Sequence, residues 1–293
     1  LGKFYMDIPS FSEISFEPFD VVITEGFHYP LLHYLKNYKG VLLFNDSITL
    51  RKMITKAKVN EFNKHFSGKT SILVNGEIRN FYLQNKIDTK IEVIGHAIDT
   101  KKIRFDQRYK FNGNIVSVGR LTKEKGFEVI IKALKILDYK GYKFRLDIYG
   151  DGPQRESLIK LITELNLSKK IFLKGYIDNI DLFDKFKNYS LFISHPIETN
   201  FVAEAFNMSQ AEAMCFGIPA ITSSCGGMET VYKNSLIYTE QNNERGLSQK
   251  ILKLISNNNQ VKFFSKFGSD YIRSNYDLTM ITDKWLRMIK SKF

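Results

Sequence analysis

From about Asn114 onward one unit recurs: a short apolar run, a glycine-bearing loop, then a longer segment of helical period. The apolar runs are "IVSVG", "FRLDIYG", "IFLKG", "SLFIS" and "IPAIT", and between them stand "FEVIIKALKILDYKG", "PQRESLIKLITELNL" and "IDLFDKFKNY". In "IIKALKIL", Ile130, Ala133, Leu134 and Leu137 recur at three- and four-residue steps, so they share one helical face. Strands alternating with helices of this length leave few folds open: βαβ units, a parallel sheet and right-handed crossovers. Ligands of such sheets bind beyond the carboxyl ends of the strands. The glycines that follow the strands lie at that edge. This half reads as a doubly wound α/β domain.

The first hundred residues carry a weaker version of the same rhythm. "DVVITEG", "VLLFND", "SILVN" and "IEVIG" read as strands, with helices over "YPLLHYLKNY", around residues 48–66 and over "EIRNFYLQN". Four strands are few for a nucleotide-binding half, so this lobe reads as short or truncated. The polar, aperiodic "DTKKIRFDQRYKFNG" is the expected linker. The divisions expected are a first lobe over 1–105, a second over 106–278, and a closing helix over 279–293 that packs back toward the first lobe. Met280, Trp285, Met288 and Ile289 give that helix its apolar spacing.

"EAFNMSQAEAMCFGIPAITSSCGG", from Glu204 to Gly227, holds two glutamates eight positions apart. Asn207 is a good N-cap, and Gln210 three residues on makes a variant of the capping box. Gly217 suits the left-handed position after the last turn, and Pro219 forbids continuation. The helix then runs from about Met208 to Phe216, and its N-terminus offers free N–H groups to an anion. Glu204 precedes the cap and Glu212 lies within the helix, about 12 Å apart along a helical rise. Glycosidase carboxylate pairs stand about 5–9.5 Å apart, which disfavours a simple acid–base pair. No further oxygen ligands for a metal are obvious. The pattern fits two grips on one elongated ligand better than either, and solvated helix acids remain the bland alternative.

Other loops point to the same edge. "VGRLTKEKG" places Arg120 and Lys125 between Gly119 and Gly126 just after a strand, a planar fork and a point charge suited to phosphate oxygens. The two glycines are expected to let the backbone approach a ligand closely. "IYGDGP" and "LKGYI" add two more strand-end glycine loops. The net charge of +12 agrees with a phosphate-bearing ligand, and residues 241–293 hold ten Lys/Arg against four Asp/Glu. That basic segment admits a peripheral contact with an anionic membrane surface. Nucleic acid is disfavoured, because no recognition motif or aromatic-laced basic stripe is present. Only Cys215 and Cys225 occur, which fits a reducing, cytoplasmic compartment, one thiol buried and one in a loop. No apolar run reaches the length of a membrane span.

In this order, "VGRLTKEKG", "YGDGP", "FLKGY" and the Glu-x7-Glu stretch followed by "AMCFGIPAITSSCGG" resemble the nucleotide-sugar half of retaining GT-B glycosyltransferases, in particular glycosyltransferase family 4. The resemblance covers about Ile115 to Tyr238 and is faint over residues 20–100. It implies two Rossmann-like lobes facing across a cleft, with a nucleoside-diphosphate sugar held mainly by the second. It implies hexose transfer to the hydroxyl of a glycan or lipid-linked acceptor, as in glycan biosynthesis, without cofactor or metal. By this likeness Arg120 and Lys125 contact the diphosphate, Glu212 the ribose and Glu204 the transferred sugar. Backbone around Gly119, Phe206 and Asn207 meets phosphate or sugar, and Gly175–Tyr176 lies against the base. Two departures stand out. Asn207 replaces the usual glycine after the phenylalanine, and Asn45 stands where the family carries a first-lobe histidine, a place His28 or His96 could fill. The short first lobe keeps a second expectation open: a nucleotide-sugar-binding subunit of weak catalytic power.

Overall fold

Alternation within the strands sets the layers of the first sheet. The computed structural model describes residues 19–25, 35–46, 55–199 and 203–293. Strands β1 (Val21–Glu25), β2 (Val41–Asp46), β3 (Thr70–Leu73) and β4 (Lys90–Val93) pair in that order, all parallel. They fall on the four runs expected. Side chains of successive strand residues point to opposite faces, so Leu42 and Phe44 enter one core and Leu43 another. Helix α1 (Lys56–Phe66), capped by Thr55, brings Phe62 and Phe66 edge-on to Phe44, with ring centroids 5.0 and 5.3 Å away. Helix α2 (Gly76–Gln84) follows β3, with Asn75 as its cap. The helix expected over "YPLLHYLKNY" lies mostly outside the described residues, as do residues 47–54.

In the second lobe α3 (Phe127–Tyr139) follows β5 (Asn114–Val118), α4 (Arg155–Glu164) follows β6 (Arg145–Tyr149), and α5 (Asn179–Phe186) follows β7 (Ile171–Gly175). Then come β8 (Leu191–Ile193), α6 (Met208–Phe216), β9 (Ala220–Ser223), the short α7 (Met228–Tyr232) and β10 (Ile237–Thr239). Ile130, Ala133, Leu134 and Leu137 of α3 are all fully buried, as their spacing requires. The strands pair in the order β10-β9-β8-β5-β6-β7, all parallel. The chain therefore builds outward from β5 on one side, then returns to build from β8 on the other. The helices that follow β5 and β8 pack into different cores on opposite faces of the sheet, which opens a crevice at the carboxyl edge.

Three helices close the chain: α8 (Glu244–Ile255) packs in the second-lobe core, and α9 (Asn258–Tyr276) and α10 (Leu278–Lys290) tie the lobes together. Ile98 of the first lobe receives the Leu278 N–H at 2.9 Å and donates to the Tyr276 carbonyl at 2.7 Å. From there α10 crosses to the first sheet, where Ile281 and Met288 bury against Leu43, Ile72 and Ile94. Met280, Trp285 and Ile289 pack partly buried on the same cluster. The segment at 99–113 has no regular element apart from turns, yet it is tightly held. Arg108 is buried and donates to the carbonyls of Tyr189, Phe186 and Asp106 at 2.7–2.9 Å. One apolar cluster runs across the lobe boundary, joining Phe44, Phe62 and Tyr82 to Phe206, Met228 and Tyr232.

Candidate functional site

The β5 loop and the β8 loop meet over the crevice. After β5, Gly119 and Arg120 lead to a 3-10 turn at Lys123–Lys125, and Gly126 opens α3 in the left-handed region at φ 64°. A Cβ on Gly126 would stand 1.9 Å from the His195 carbonyl oxygen. The Ile197 N–H donates to the Glu124 carbonyl at 2.8 Å, fastening the same two loops. Gly126 is thus required by contact with the chain itself, which corrects the expectation that it makes room for a ligand. The loop of "IYGDGP" lies at the same strand edge, where Gly150 packs against the Gly119 carbonyl of the first loop. At Gly119 the nearest atom to an added Cβ is Phe127 Cζ at 3.6 Å, so packing alone does not demand glycine there.

Across the crevice Lys125 Nζ pairs with Glu204 Oε2, both side chains largely shielded from solvent. Arg120 is exposed on the same loop as Lys125 and has no ion-pair partner among the described residues. The Glu204 carbonyl accepts the Gly227 N–H at 2.9 Å, which seats the acidic loop on the Gly226–Gly227 turn. A Cβ on Gly227 would fall 2.0 Å from Asn75 Nδ2, and that nitrogen donates to the Ala205 carbonyl at 2.9 Å.

Phe206 is buried among rings: His96 at 5.3 Å, Tyr276 at 5.1 Å and Tyr232 at 5.6 Å. Its side chain anchors the loop to both lobes, so only its backbone can face a ligand. Of the first-lobe candidates His96 therefore borders the loop, whereas Asn45 sits in β2, paired in register with Glu25. His28 lies outside the described residues.

Helix α6 occupies the bounds read from its caps. Asn207 Oδ1 accepts the Gln210 N–H at 3.1 Å, and Gly217 ends the helix at φ 104°. Among the described residues the backbone N–H groups of Phe206, Asn207, Met208 and Ser209 have no acceptor. They form an anion seat one residue beyond the Lys125–Glu204 pair. Glu212 is buried about one turn in, without a hydrogen-bond partner among the described residues. Burial pushes its carboxyl up to about 7. Nearby, Gln210 Oε1 accepts from Ser194 Oγ at 2.6 Å, while Gln210 Nε2 is buried with no acceptor among the described residues.

Gly175 ends the edge strand β7 and Tyr176 follows it. Gly175 is left-handed at φ 77° with open space where a Cβ would be, and Tyr176 is 82% exposed. They stand two strands from β5, about 10 Å at the usual spacing. The described structure therefore brings Lys125, Glu204, Phe206 and Asn207 together, with Arg120 exposed on the Lys125 loop and Tyr176 apart.

Two residues escaped the sequence reading. His195 is fully buried just past β8, neither ring nitrogen has a partner among the described residues, and burial holds its pKa down at about 4. Its place directly after the strand "SLFIS" was the available signal. Asn75, the last residue of the expected strand "SILVN", instead caps α2 and reaches the Ala205 carbonyl. Cys215 and Cys225 are both free and both buried, the second in its loop. Among the described residues no three His, Cys, Asp or Glu side chains converge as a metal ligand set, and no helix is long and apolar enough to cross a membrane.

The family model for glycosyl transferases group 1 matches residues 99–270, well over half of the chain. The chain belongs to this family. An uncharacterised glycosyltransferase of Methanocaldococcus jannaschii is 27% identical over 218 residues, covering 70% of this chain and 54% of that protein. The poly(glycerol-phosphate) alpha-glucosyltransferase of Bacillus subtilis is 32% identical over 168 residues, 55% of this chain and 24% of its own length. The chain thus spans about half or less of these curated relatives. Among solved structures, a glycosyltransferase of Rickettsia africae aligns with TM-score 0.79 at 21% identity, over 94% of this chain and 77% of that one. Anabaena Alr3699/HepE, in complex with UDP-glucose, aligns with TM-score 0.77 at 16% identity, over 93% and 79%. These likenesses show the two-lobed GT-B fold for this group 1 glycosyltransferase chain.

Proposed function

We propose that this chain holds a nucleoside-diphosphate sugar across the β5–β8 crevice and moves its hexose, with retention, to a hydroxyl of a glycan or lipid-linked acceptor. The observation that carries the reading is the Lys125–Glu204 pair, set one residue from a row of backbone N–H groups without acceptors. It joins a cation suited to phosphate and a carboxylate suited to sugar hydroxyls at the junction such a donor has. Leaving of the diphosphate is the difficult step, because negative charge grows on its oxygens as the anomeric C–O bond breaks. Fixed donors aimed at that charge lower the barrier without reorganising. Lys125, Arg120 and the α6 N-terminus supply them, with the backbone at Gly119 alongside. The acceptor oxygen bonds to the anomeric carbon, and its proton passes to the departing phosphate.

Glu212 receives the ribose hydroxyls on a carboxylate that has no hydrogen-bond partner among the described residues. Tyr176, about two strands away, covers the base. Uracil is the base of first choice, since Alr3699/HepE and the pneumococcal GtfA were each crystallised with UDP.

The test is a thermal-shift panel of UDP-, GDP- and ADP-sugars followed by assay of released nucleoside diphosphate. One donor series raises the melting midpoint, by an amount equivalent to about 2.7 kcal/mol at a hundredfold excess over Kd. A flat panel with no nucleotide release overturns the reading. Binding without release, with or without acceptor, would leave the chain as a nucleotide-sugar-binding subunit.

A further inference from the structure

Helix α9 is amphipathic on both sides, but in different ways. Val261, Ser265, Gly268, Ser269 and Ile272 are buried on its inner face. There Ser265 Oγ and Ser269 Oγ donate to the carbonyls of Gly217 and Cys215, at the end of α6. Lys262, Phe263, Lys266 and Phe267 occupy the outer face, at the spacing of one helical stripe. Phe263 and Phe267 are 54% and 39% exposed and stack on each other, with centroids 5.2 Å apart.

The segment at 100–109 runs antiparallel beside this stripe. Arg273 holds the Thr100 and Ile103 carbonyls, the Arg108 N–H reaches Ser265 Oγ, and Gln107 Nε2 reaches the Lys262 carbonyl. Tyr109, 61% exposed, lies under Lys262 Nζ at 5.7 Å, and Phe105 under Lys266 Nζ at 5.5 Å. Between helix and segment runs a groove of about 410 Å³. Lys101, Lys102, Arg104 and Lys110 are exposed along the same ridge. Its acids are engaged: Asp99 by Lys102, Asp106 by Arg108 and Asp270 by Lys266. Among the described residues Lys101, Arg104, Lys110 and Lys262 have no carboxylate partner.

We infer that this ridge, the outer face of α9 with the 100–110 segment, docks on an anionic lipid bilayer. The cations are long-stemmed and strung along the ridge rather than focused on one point, which matches laterally mobile headgroups better than the fixed acids of one protein partner. Three exposed rings sit among them, where an aromatic body can enter the headgroup boundary while lysine stems reach back to the phosphates. The bound membrane would lie against the outer side of the helix that grips the end of α6.

The measurement is co-sedimentation of the chain with vesicles of phosphatidylcholine containing about one third phosphatidylglycerol, against phosphatidylcholine alone. The wild type binds the anionic vesicles only, and added salt weakens the binding. Phe263→Ser with Phe267→Ser, and separately Lys262→Glu with Lys266→Glu, each lower the partition coefficient roughly tenfold. The lysine variants lose only the exposed Lys266–Asp270 pair and two surface ring contacts, and the phenylalanines lie on the outer face, so the melting midpoints move little. Failure of the wild type to bind, or equal binding by either double variant, overturns the inference. So does a wild-type dimer that the Phe263→Ser/Phe267→Ser variant dissociates, which would make the ridge a contact between copies. None of these readouts depends on the donor site.

Discussion

Asn75, which caps α2 in the first lobe, donates from Nδ2 to the Ala205 carbonyl of the second lobe at 2.9 Å. Its Oδ1 meanwhile accepts the N–H groups of Glu77 and Ile78, each at 2.9 Å. One buried amide thus ends a first-lobe helix and holds the loop that carries Glu204. The Phe206–His96 ring contact reinforces the same junction. Whatever binds at the acidic loop therefore senses the first lobe.

The two functions of Asn75 separate by substitution. Aspartate caps a helix as well as asparagine does, but it has no N–H and would set a carboxylate against the Ala205 carbonyl. Asn75→Asp should lose about 2–3 kcal/mol of stability, more than Asn75→Ala. If chemical denaturation found Asn75→Asp equal to the wild type, the cap would be the residue's whole role.

Lys125 and Glu204 act as one unit in the proposed chemistry. Lys125→Ala and Glu204→Gln should each lower turnover by roughly a hundredfold or more, with circular dichroism unchanged. Because they touch, the double variant should fall short of the product of the single effects. Initial rates with saturating donor decide this, and full additivity would show that the pair acts on separate steps.

Adjacent glycines of one loop should respond in opposite ways. Gly126→Ala drives a Cβ into the His195 carbonyl from a left-handed backbone; it should cost about 3 kcal/mol or more. Gly119→Ala meets only ordinary contacts and should melt near the wild type, while weakening donor binding if the backbone there faces the diphosphate. Melting curves and calorimetric titration with a nucleotide sugar read the two effects apart.

Two buried groups pull the pH dependence of stability in opposite directions. Glu212 is raised from 4.5 to about 7, so the folded chain holds its proton longer and stability falls as pH rises through that interval. His195 is lowered from 6.5 to about 4, so the unfolded chain takes up the proton first and stability falls as pH drops from about 6.5 toward 4. Glu212→Gln should remove the first slope, gaining roughly 2 kcal/mol at pH 8 relative to pH 5, and leave the second. Donor affinity should rise as pH passes 7 in the wild type, when the carboxylate can accept ribose hydroxyls, and lose that rise in Glu212→Gln. Parallel melting curves for both proteins across this range would refute the assignment.

What the sequence determined by itself is everything that depends on near neighbours along the chain. The three- and four-residue steps of "IIKALKIL" placed α3 and its buried face, and Asn207, Gln210 and Gly217 bounded α6 to the residue. Those signals work because helix faces and caps involve residues only a few positions apart. Tertiary structure alone decided which strand-end loops touch. Strand order sets β8 beside β5, so Lys125 meets Glu204, Gly126 serves His195 rather than a ligand, and Asn75 reaches Ala205. Periodicity is blind to such encounters, since residues 69 to 130 positions apart meet through sheet topology and not through local spacing. The unpaired carboxylate of Glu212 belongs to the same class: its helix was legible, but the surroundings that strip it of water come from the rest of the molecule.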